Sequence, residues 1–470
     1  MKNQRLSAQL LLSAVAFFVF FFTVLSLPHA KGREPISGIT KSHDLSNQTH
    51  RWRHTQMRKS RETRVEFKSP AVLAGALCFI ASAISSAGGI GGGGLFIPIL
   101  AIVAGLELKM ASSFSAFMVT GVSLANVVCS LTIKNPKFGG RCLIDYDIAL
   151  LSVPCMLLGV GVGVMCHVIF PEWFITILFA VFLAWSTFKT CKKGVSYWKL
   201  ESEEGGERVH LENGFAREEG FDGSEEAKIA KEPLLRAASK RQETYPWMKL
   251  VVLVLVWFSF FCVYILRGNR HGQSIIPIEP CGPGYWILSS VQIPLAVAFT
   301  SWILFRKESL QHQVSSQQDI DDQNRDGPAN RLIFPVMALL AGLLGGFFGI
   351  GGGMLISPLL LLVGIVPEVT AATCSFMVFF SSTMSALQYI LLGMEHTEVA
   401  LIFSFICFVA SLLGIIVVQR AIREYGRASL IVFSVSTVMA LSTVLITGFG
   451  AVKVRKDYIS GKYMGFKSPC

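Results

Sequence analysis

The chain has 470 residues, of which 52% are hydrophobic and 16% charged, well below the quarter or so charged that soluble domains carry. That composition excludes a soluble globular protein and describes an all-α polytopic membrane protein whose constant partner is the lipid bilayer. The net charge of +11 is no nucleic-acid footprint, because the basic residues lie in loops and tails between apolar stretches, where they set orientation and meet anionic lipid.

Residues 1–30 hold an apolar run, 9–27, behind Lys2 and Arg5. It reads as a signal peptide or as a first transmembrane helix. The run is long for a signal core, and Pro28-His29-Ala30 is a poor cleavage site. Residues 31–69 are basic, without an apolar period, and read as flexible. Four apolar segments follow in 71–190: 71–103, 110–133, 146–168 and 172–190. The first exceeds the ~20 residues a span needs and contains a glycine run, so it reads as a broken helix. Residues 191–245 are a polar insert expected to be disordered, with a dileucine-like element at Glu232-Pro233-Leu234-Leu235. Two linking transmembrane helices occupy 246–306. An acidic loop, 307–330, carries Asp319, Asp321, Asp322 and Asp326. A second set of four segments fills 331–449, at 331–363, 369–392, 398–418 and 427–449, and 450–470 is a basic tail.

The two sets repeat. Gly89-Ile90-Gly91-Gly92-Gly93-Gly94-Leu95-Phe96-Ile97-Pro98 returns 260 residues later as Gly349-Ile350-Gly351-Gly352-Gly353-Met354-Leu355-Ile356-Ser357-Pro358. Ala111, Ser113 and Ser115 align with Ala371, Thr373 and Ser375 at the same offset. Asp147-Ile148-Ala149 matches Glu398-Val399-Ala400 at 251, and Leu157-Leu158-Gly159 matches Leu412-Leu413-Gly414 at 255. The expected architecture is therefore two homologous four-segment helical repeats with glycine-broken first helices, joined by two extra helices. If the broken segments cross fully, the repeats are parallel; if they re-enter, the repeats are inverted.

With every segment crossing once, 28–69, 134–145, 191–245, 307–330, 393–397 and the tail share a Lys/Arg-rich side, which the positive-inside rule makes cytosolic. Arg420 and Arg423 dissent from that grouping. A cleaved signal peptide would instead put 28–69, with the sequon Asn47-Gln48-Thr49, outside.

The first glycine run matches the dinucleotide fingerprint in form only. It lacks a βαβ context and an acidic residue about 20 positions on, and Met354 breaks the pattern in the second copy. Bare backbone at membrane depth is tolerated where protein buries it or a polar cavity receives it, and paired interruptions in two halves point to a transporter's substrate site. A helix restarting after the glycines offers free N–H groups and a positive dipole end, an oxyanion site needing no cation. Pro98 and Pro358 suit a first turn or a kink. The spans hold almost no charge at their centres; Asp145, Asp147, Glu395 and Glu398 lie at segment edges, whereas a cation path would place carboxylates inside. The candidate binding residues are Gly89, Gly91, Gly92, Gly93, Gly94, Pro98, Ser113 and Ser115, with Gly349, Gly351, Gly352, Gly353, Pro358, Thr373 and Ser375. Ser112, Thr120, Ser381, Ser382 and Thr383 lie in the same regions. Close helix packing is the alternative use of such small residues. Asn126, Gln388 and Gln292 line a cavity or bond a neighbouring helix, and His167 and His396 are proton-coupling or interfacial residues. The eleven Cys form no CxxC pair and no metal-like spacing, so neither metal nor cofactor is expected.

The doubled glycine–proline signature, with the serine-rich segments at Ser112–Ser115 and Thr373–Ser375, resembles the sulfite exporter TauE/SafE family, in its longer plant form. The resemblance covers about 71–190 and 331–449. It implies a secondary transporter of small sulfur-containing anions, sulfite or an organosulfonate, in the plasma membrane or an endomembrane. A non-transporting membrane adaptor, with the 191–245 insert as its regulatory part, is the competing reading. An intramembrane enzyme lacks a nucleophile–base pair or paired membrane carboxylates.

Overall fold

The protein is described here by a computed structural model, which covers residues 69–132, 143–214, 246–267, 282–315, 328–392, 394, 396–425, 429–460 and 465. The 9–27 run, the basic segment to residue 68, the sequon, the dileucine-like element, Glu395 and the four Asp of the acidic loop lie outside the described residues. Thirteen helices are described: α1 Ser69–Ser86, α2 Gly93–Ile102, α3 Leu108–Thr132, α4 Tyr146–Ile169, α5 Glu172–Gly214, α6 Pro246–Arg267, α7 Pro283–Ser290, α8 Gln292–Ser315, α9 Pro328–Phe348, α10 Gly353–Val363, α11 Pro367–Leu391, α12 Thr397–Tyr425 and α13 Ser429–Ile459. Among the described residues there is no strand.

Among the described residues, eight spans are long and apolar enough to cross a bilayer: α3, α4, α5, α6, α7 with α8, α11, α12 and α13. Their exposure sorts them. The central pair, α3 and α11, are each 83% buried, whereas the linking span α6 is 28% buried. Val181, Phe188, Leu255, Phe258, Ile287, Phe305, Val417 and Val444 are exposed on the outer helices. An apolar surface of that extent is stable only against lipid, and the chain is an integral multi-pass membrane protein.

The two broken segments do not cross. Along α1 and α12 the contacts advance together, Ser82 Oγ donating to Cys407 O (2.8 Å) and Ser86 Oγ to Ser411 O (3.2 Å), so these helices run parallel. Ser404 Oγ donates to Phe117 O (2.6 Å) and Ser411 Oγ to Val122 O (3.4 Å), so α12 also runs parallel to α3. Helices α1 and α3 therefore point the same way, and α2 must bring the chain back between them. The second half behaves alike: Cβ positions built at Gly342 and Gly346 of α9 fall 2.1 Å from Met156 O and 2.5 Å from Val160 O of α4. Helix α4 advances with α11, from Asp145 N donating to Thr373 Oγ1 (2.9 Å) to the His167 and Tyr389 rings at 5.9 Å. Helix α10 is then the returning limb. At the centre, Asn126 bonds Ser375 while Ser123 bonds Ser382, so α3 and α11 are antiparallel. Segments that match in sequence run in opposite directions.

Re-entry changes the sidedness expected from single crossings. The ends of α3, α5, α8, α10 and α12 share one face with the starts of α4, α6, α11 and α13; the start of α1 and the end of α13 lie on the other. Exposed Arg420 therefore shares the face where α5 ends and is no longer a dissenter, whereas α13 ends on the opposite face. The insert itself differs from expectation, since α5 runs unbroken to Gly214 instead of ending near 190. Its continuation is rich in Lys and Glu and free of proline, good helix-forming chemistry. It is also anchored: Glu201 accepts from Ser429 N (3.0 Å) and from Ser429 Oγ at the start of α13, a carboxylate at a helix N-terminus.

Close packing explains several other small residues. A Cβ built at Gly163 falls 2.1 Å from Leu343 O, and one at Gly414 falls 2.2 Å from Ala83 O. Leu343 and Ala83 are themselves matching positions, so Gly163 and Gly414 are the true equivalents, at the offset of 251. The apparent match of Gly159 with Gly414 at 255 is a local resemblance between apolar stretches.

Candidate functional site

Each glycine run ends one helix and starts another at the same backbone geometry. Gly92 caps α2 at φ 74°, ψ −1°, and Gly352 caps α10 at φ 74°, ψ −8°, both left-handed and without a side-chain cap. Gly89 (φ 67°) and Gly349 (φ 71°) show why only glycine serves. Besides the left-handed backbone, a Cβ would fall 2.1 Å from Ala371 O at Gly89 and 2.4 Å from Ser112 O at Gly349. Gly91 and Gly351 are also left-handed, at φ 84° and 70°.

The two breaks meet. A Cβ on Gly93 would lie 2.7 Å from Ile350 Cα, and one on Gly353 would lie 2.4 Å from Ile90 O. A Cβ on either Gly91 or Gly351 would meet both Val119 and Val378. Residues 88–98 and 345–358 are buried save Ile99's neighbourhood beyond them. Leu95 N and Phe96 N reach Gly92 O, and Leu355 N and Ile356 N reach Gly352 O. Among the described residues, the N–H groups of Gly91 to Gly94 and of Gly351 to Met354 donate to no hydrogen bond. Orphan donors are normal for a first helical turn, but here they are buried. Pro98 and Pro358 lie in the second turn of their helices, past the first-turn position considered from sequence, and there they leave the carbonyls of Gly94 and Met354 without an intrahelical donor.

The structure divides the predicted hydroxyls. Ser115 Oγ donates to Gly93 O (3.3 Å), at the break. Ser375 Oγ donates to Ala371 O (2.9 Å) and accepts from Asn126 Nδ2 (3.1 Å), behind it. Ser113 Oγ bonds Met110 O (2.8 Å) in its own helix, and Thr373 Oγ1 accepts from Asp145 N, so these two are not brought to the glycines. The reason is register. Caps Gly92 and Gly352 are 260 apart, but the next helices start at Leu108 and Pro367, 259 apart. One residue in a helix is a 100° turn. The true partner of Ser115 is Cys374, whose Sγ lies 3.5 Å from Gly353 O.

The sequence singles out Ser381, Asn126 and Gln292 but not their partners. Ser381 Oγ donates to Gly351 O (2.7 Å), tying the second break to α11 of its own half, and Ser357 Oγ donates to Gly88 O (3.4 Å), tying α10 to the first break. Asn126 is the hub behind the first break. Its Oδ1 accepts from Ser86 Oγ and Ser411 Oγ, both at 2.7 Å, and its Nδ2 donates to Ser86 O (3.2 Å) and Ser375 Oγ. A lone amide in a Val-rich span was the available signal. Gln292 accepts from Tyr264 OH (3.0 Å), between α6 and α8. At the margin Lys249 Nζ meets Asp147 at 2.7 Å.

The sulfite exporter TauE/SafE family profile matches residues 3–190 and 244–444. Arabidopsis thaliana has a sulfite exporter TauE/SafE family protein 5 that is 56% identical over 96% of this chain and 99% of its own. Family protein 2 is 57% identical over 96% and 98%, and family protein 3 is 31% identical over 86% and 84%. No solved structure matches the chain. The re-entrant glycine breaks thus stand in a chain that belongs to the sulfite exporter TauE/SafE family, a family of membrane transporters.

Proposed function

We propose that this protein is a secondary transporter of a small sulfur-containing anion, sulfite or an organosulfonate, held where the N-termini of α2 and α10 meet. The observation that carries the reading is the pair of buried, uncharged helix starts with orphan N–H groups. Two positive dipole ends turned to one place suit an anion and repel a cation. Gly91 to Gly94 and Gly351 to Gly353 supply the donors, Gly89 and Gly349 set the path, and Ser115 steadies the Gly93 carbonyl. The names of the relatives agree with such a substrate. Because each limb packs against the other's break, motion of either half would open the site to one side at a time, as in alternating access.

The test is sulfite flux into proteoliposomes for wild type and Gly351→Leu. A side chain at Gly351 meets Val119 Cγ1 at 2.8 Å on a left-handed backbone, so the variant should insert yet lose flux. Undiminished flux at equal abundance removes the breaks as the site.

A further inference from the structure

The two breaks are backed differently. Behind the first, Asn126, Ser86 and Ser411 form a saturated network. The offsets of 259, 260 and 251 put Ser385, Gly346 and Val160 in the same places behind the second. Every substitution there is to a smaller or apolar group, and the network is gone. Tyr389 OH donates to Gly346 O (3.3 Å), much as Asn126 Nδ2 donates to Ser86 O. What remains is unpaired: Ser385 Oγ, both amide atoms of Gln388, and His167 Nε2 are buried and have no partner. Ser385 is 0%, Gln388 1% and His167 2% exposed.

These groups belong to one region. Ser381, Ser385 and Gln388 recur at helical spacing on one face of α11, and Ser381 fixes that face against Gly351 O. One residue beyond Gln388, Tyr389 holds Gly346 and stacks edge-on with His167. Native proteins leave few such groups unmatched, and each unmatched one costs about 1–3 kcal/mol. Three orphan atoms within one turn of α11, with a fourth on α4 at the ring that meets Tyr389, therefore call for an occupant.

Their chemistry selects it. Gln388 Nε2 and Ser385 O–H donate. Gln388 Oε1 only accepts. His167 Nδ1 sits 2.7 Å from Phe347 O, a carbonyl that can only accept, so Nδ1 carries the proton and the neutral ring's Nε2 accepts. A fully deprotonated oxyanion would leave both acceptors unmet. An oxyanion bearing one O–H would accept from both donors and give its proton to one of the two acceptors. Lys109 stands in the first turn of α3, on the face where α4 ends, whereas the matching position at the opposite mouth is Glu368. The mouth beneath the second break thus favours an anion. Resting on the transport reading above, we infer that Ser385, Gln388 and His167 form a station beside the second break that binds a singly protonated oxyanion, hydrogensulfite being the sulfur example, in preference to a sulfonate, which has no O–H.

The experiment uses the purified full chain with sulfite as probe, reading half-saturation of flux and the sulfite-induced rise in melting temperature. Gln388→Met keeps the shape and removes the orphan polar atoms. It should melt no lower than wild type without sulfite, yet need about tenfold more sulfite for half-saturation and for stabilisation. Ser385→Ala should move both readouts in the same direction. Methanesulfonate should compete with sulfite about tenfold more weakly than unlabelled sulfite does. If wild type responds to sulfite but both variants stay within about twofold of it, or methanesulfonate competes equally, the station is refuted and the transport reading stands. Wild type that neither moves nor is stabilised by sulfite overturns both.

Discussion

Gly353→Ala isolates the meeting of the two breaks from backbone strain, because Gly353 is not among the left-handed glycines. Its added methyl would lie 2.4 Å from Ile90 O and 2.7 Å from Val378 Cγ2. Relaxing to ordinary contact near 3.5 Å needs a separation of about 1 Å, at an overpacking cost of about 1–3 kcal/mol. The same shift lengthens any N–H bond to a shared anion beyond the useful range of ~2.7–3.2 Å. Losing one hydrogen bond to a charged group, about 1.5–3 kcal/mol, raises half-saturating sulfite roughly tenfold to hundredfold. Gly364→Ala is the control. Gly364 has φ 98° and no atom within 4 Å of its missing Cβ, so alanine there costs left-handed strain alone, about 1–2 kcal/mol. The two variants should be similarly destabilised in a detergent melt, but only Gly353→Ala should lose sulfite flux per folded molecule. Equal flux from both would show that the helix starts need not touch a common ligand.

Two further outcomes follow from the network and the margin. Asn126→Ala removes four hydrogen bonds, but Ser86 Oγ and Ser411 Oγ retain Ser411 O and Val122 O as acceptors; the net loss should be about 2–3 kcal/mol, seen as a lower melting temperature, whereas Ser385→Ala at the matching position should cost nothing. Asp145 caps α4 by accepting from Asp147 N (3.0 Å) and Ile148 N (3.2 Å), and burial raises its carboxyl above the ordinary 3.8 despite those bonds. An acid raised on folding contributes stability that is full below the unfolded value and is lost as pH rises through the folded value. Asp145→Asn keeps the cap without the buried charge, so it should melt at or above wild type at neutral pH, with the difference shrinking in acid. Asp145→Ala should cost about 1 kcal/mol throughout, and a wild type that gains over Asp145→Asn as pH rises would contradict this account.

The breaks were legible because their cause is local: three left-handed positions within four residues admit little but glycine, and an apolar stretch well beyond the ~20 residues of a span must contain an interruption. The direction of the returning limbs was not, since composition is the same whether α2 and α10 cross or re-enter; it emerges from the parallel run of α1 beside α12. Register failed for a related reason. From cap to next helix start the second copy is one residue shorter, so positions paired at 260 lie 100° apart around the helix; Ser115 matches Cys374 and Thr373 goes to Asp145. Asn126 and Gln388 look alike as lone amides. Only packing distinguishes the saturated hub from the unpaired one. The helical start of the polar insert was hidden by its charge, because Glu201 is secured by Ser429, distant in sequence.

The most direct measurement is uptake of labelled sulfite into sealed proteoliposomes holding the purified wild-type chain, followed as a function of sulfite concentration. The account predicts saturable uptake well above empty liposomes, lost in Gly351→Leu. Uptake no greater than that of empty liposomes, from protein shown to be folded, would contradict it.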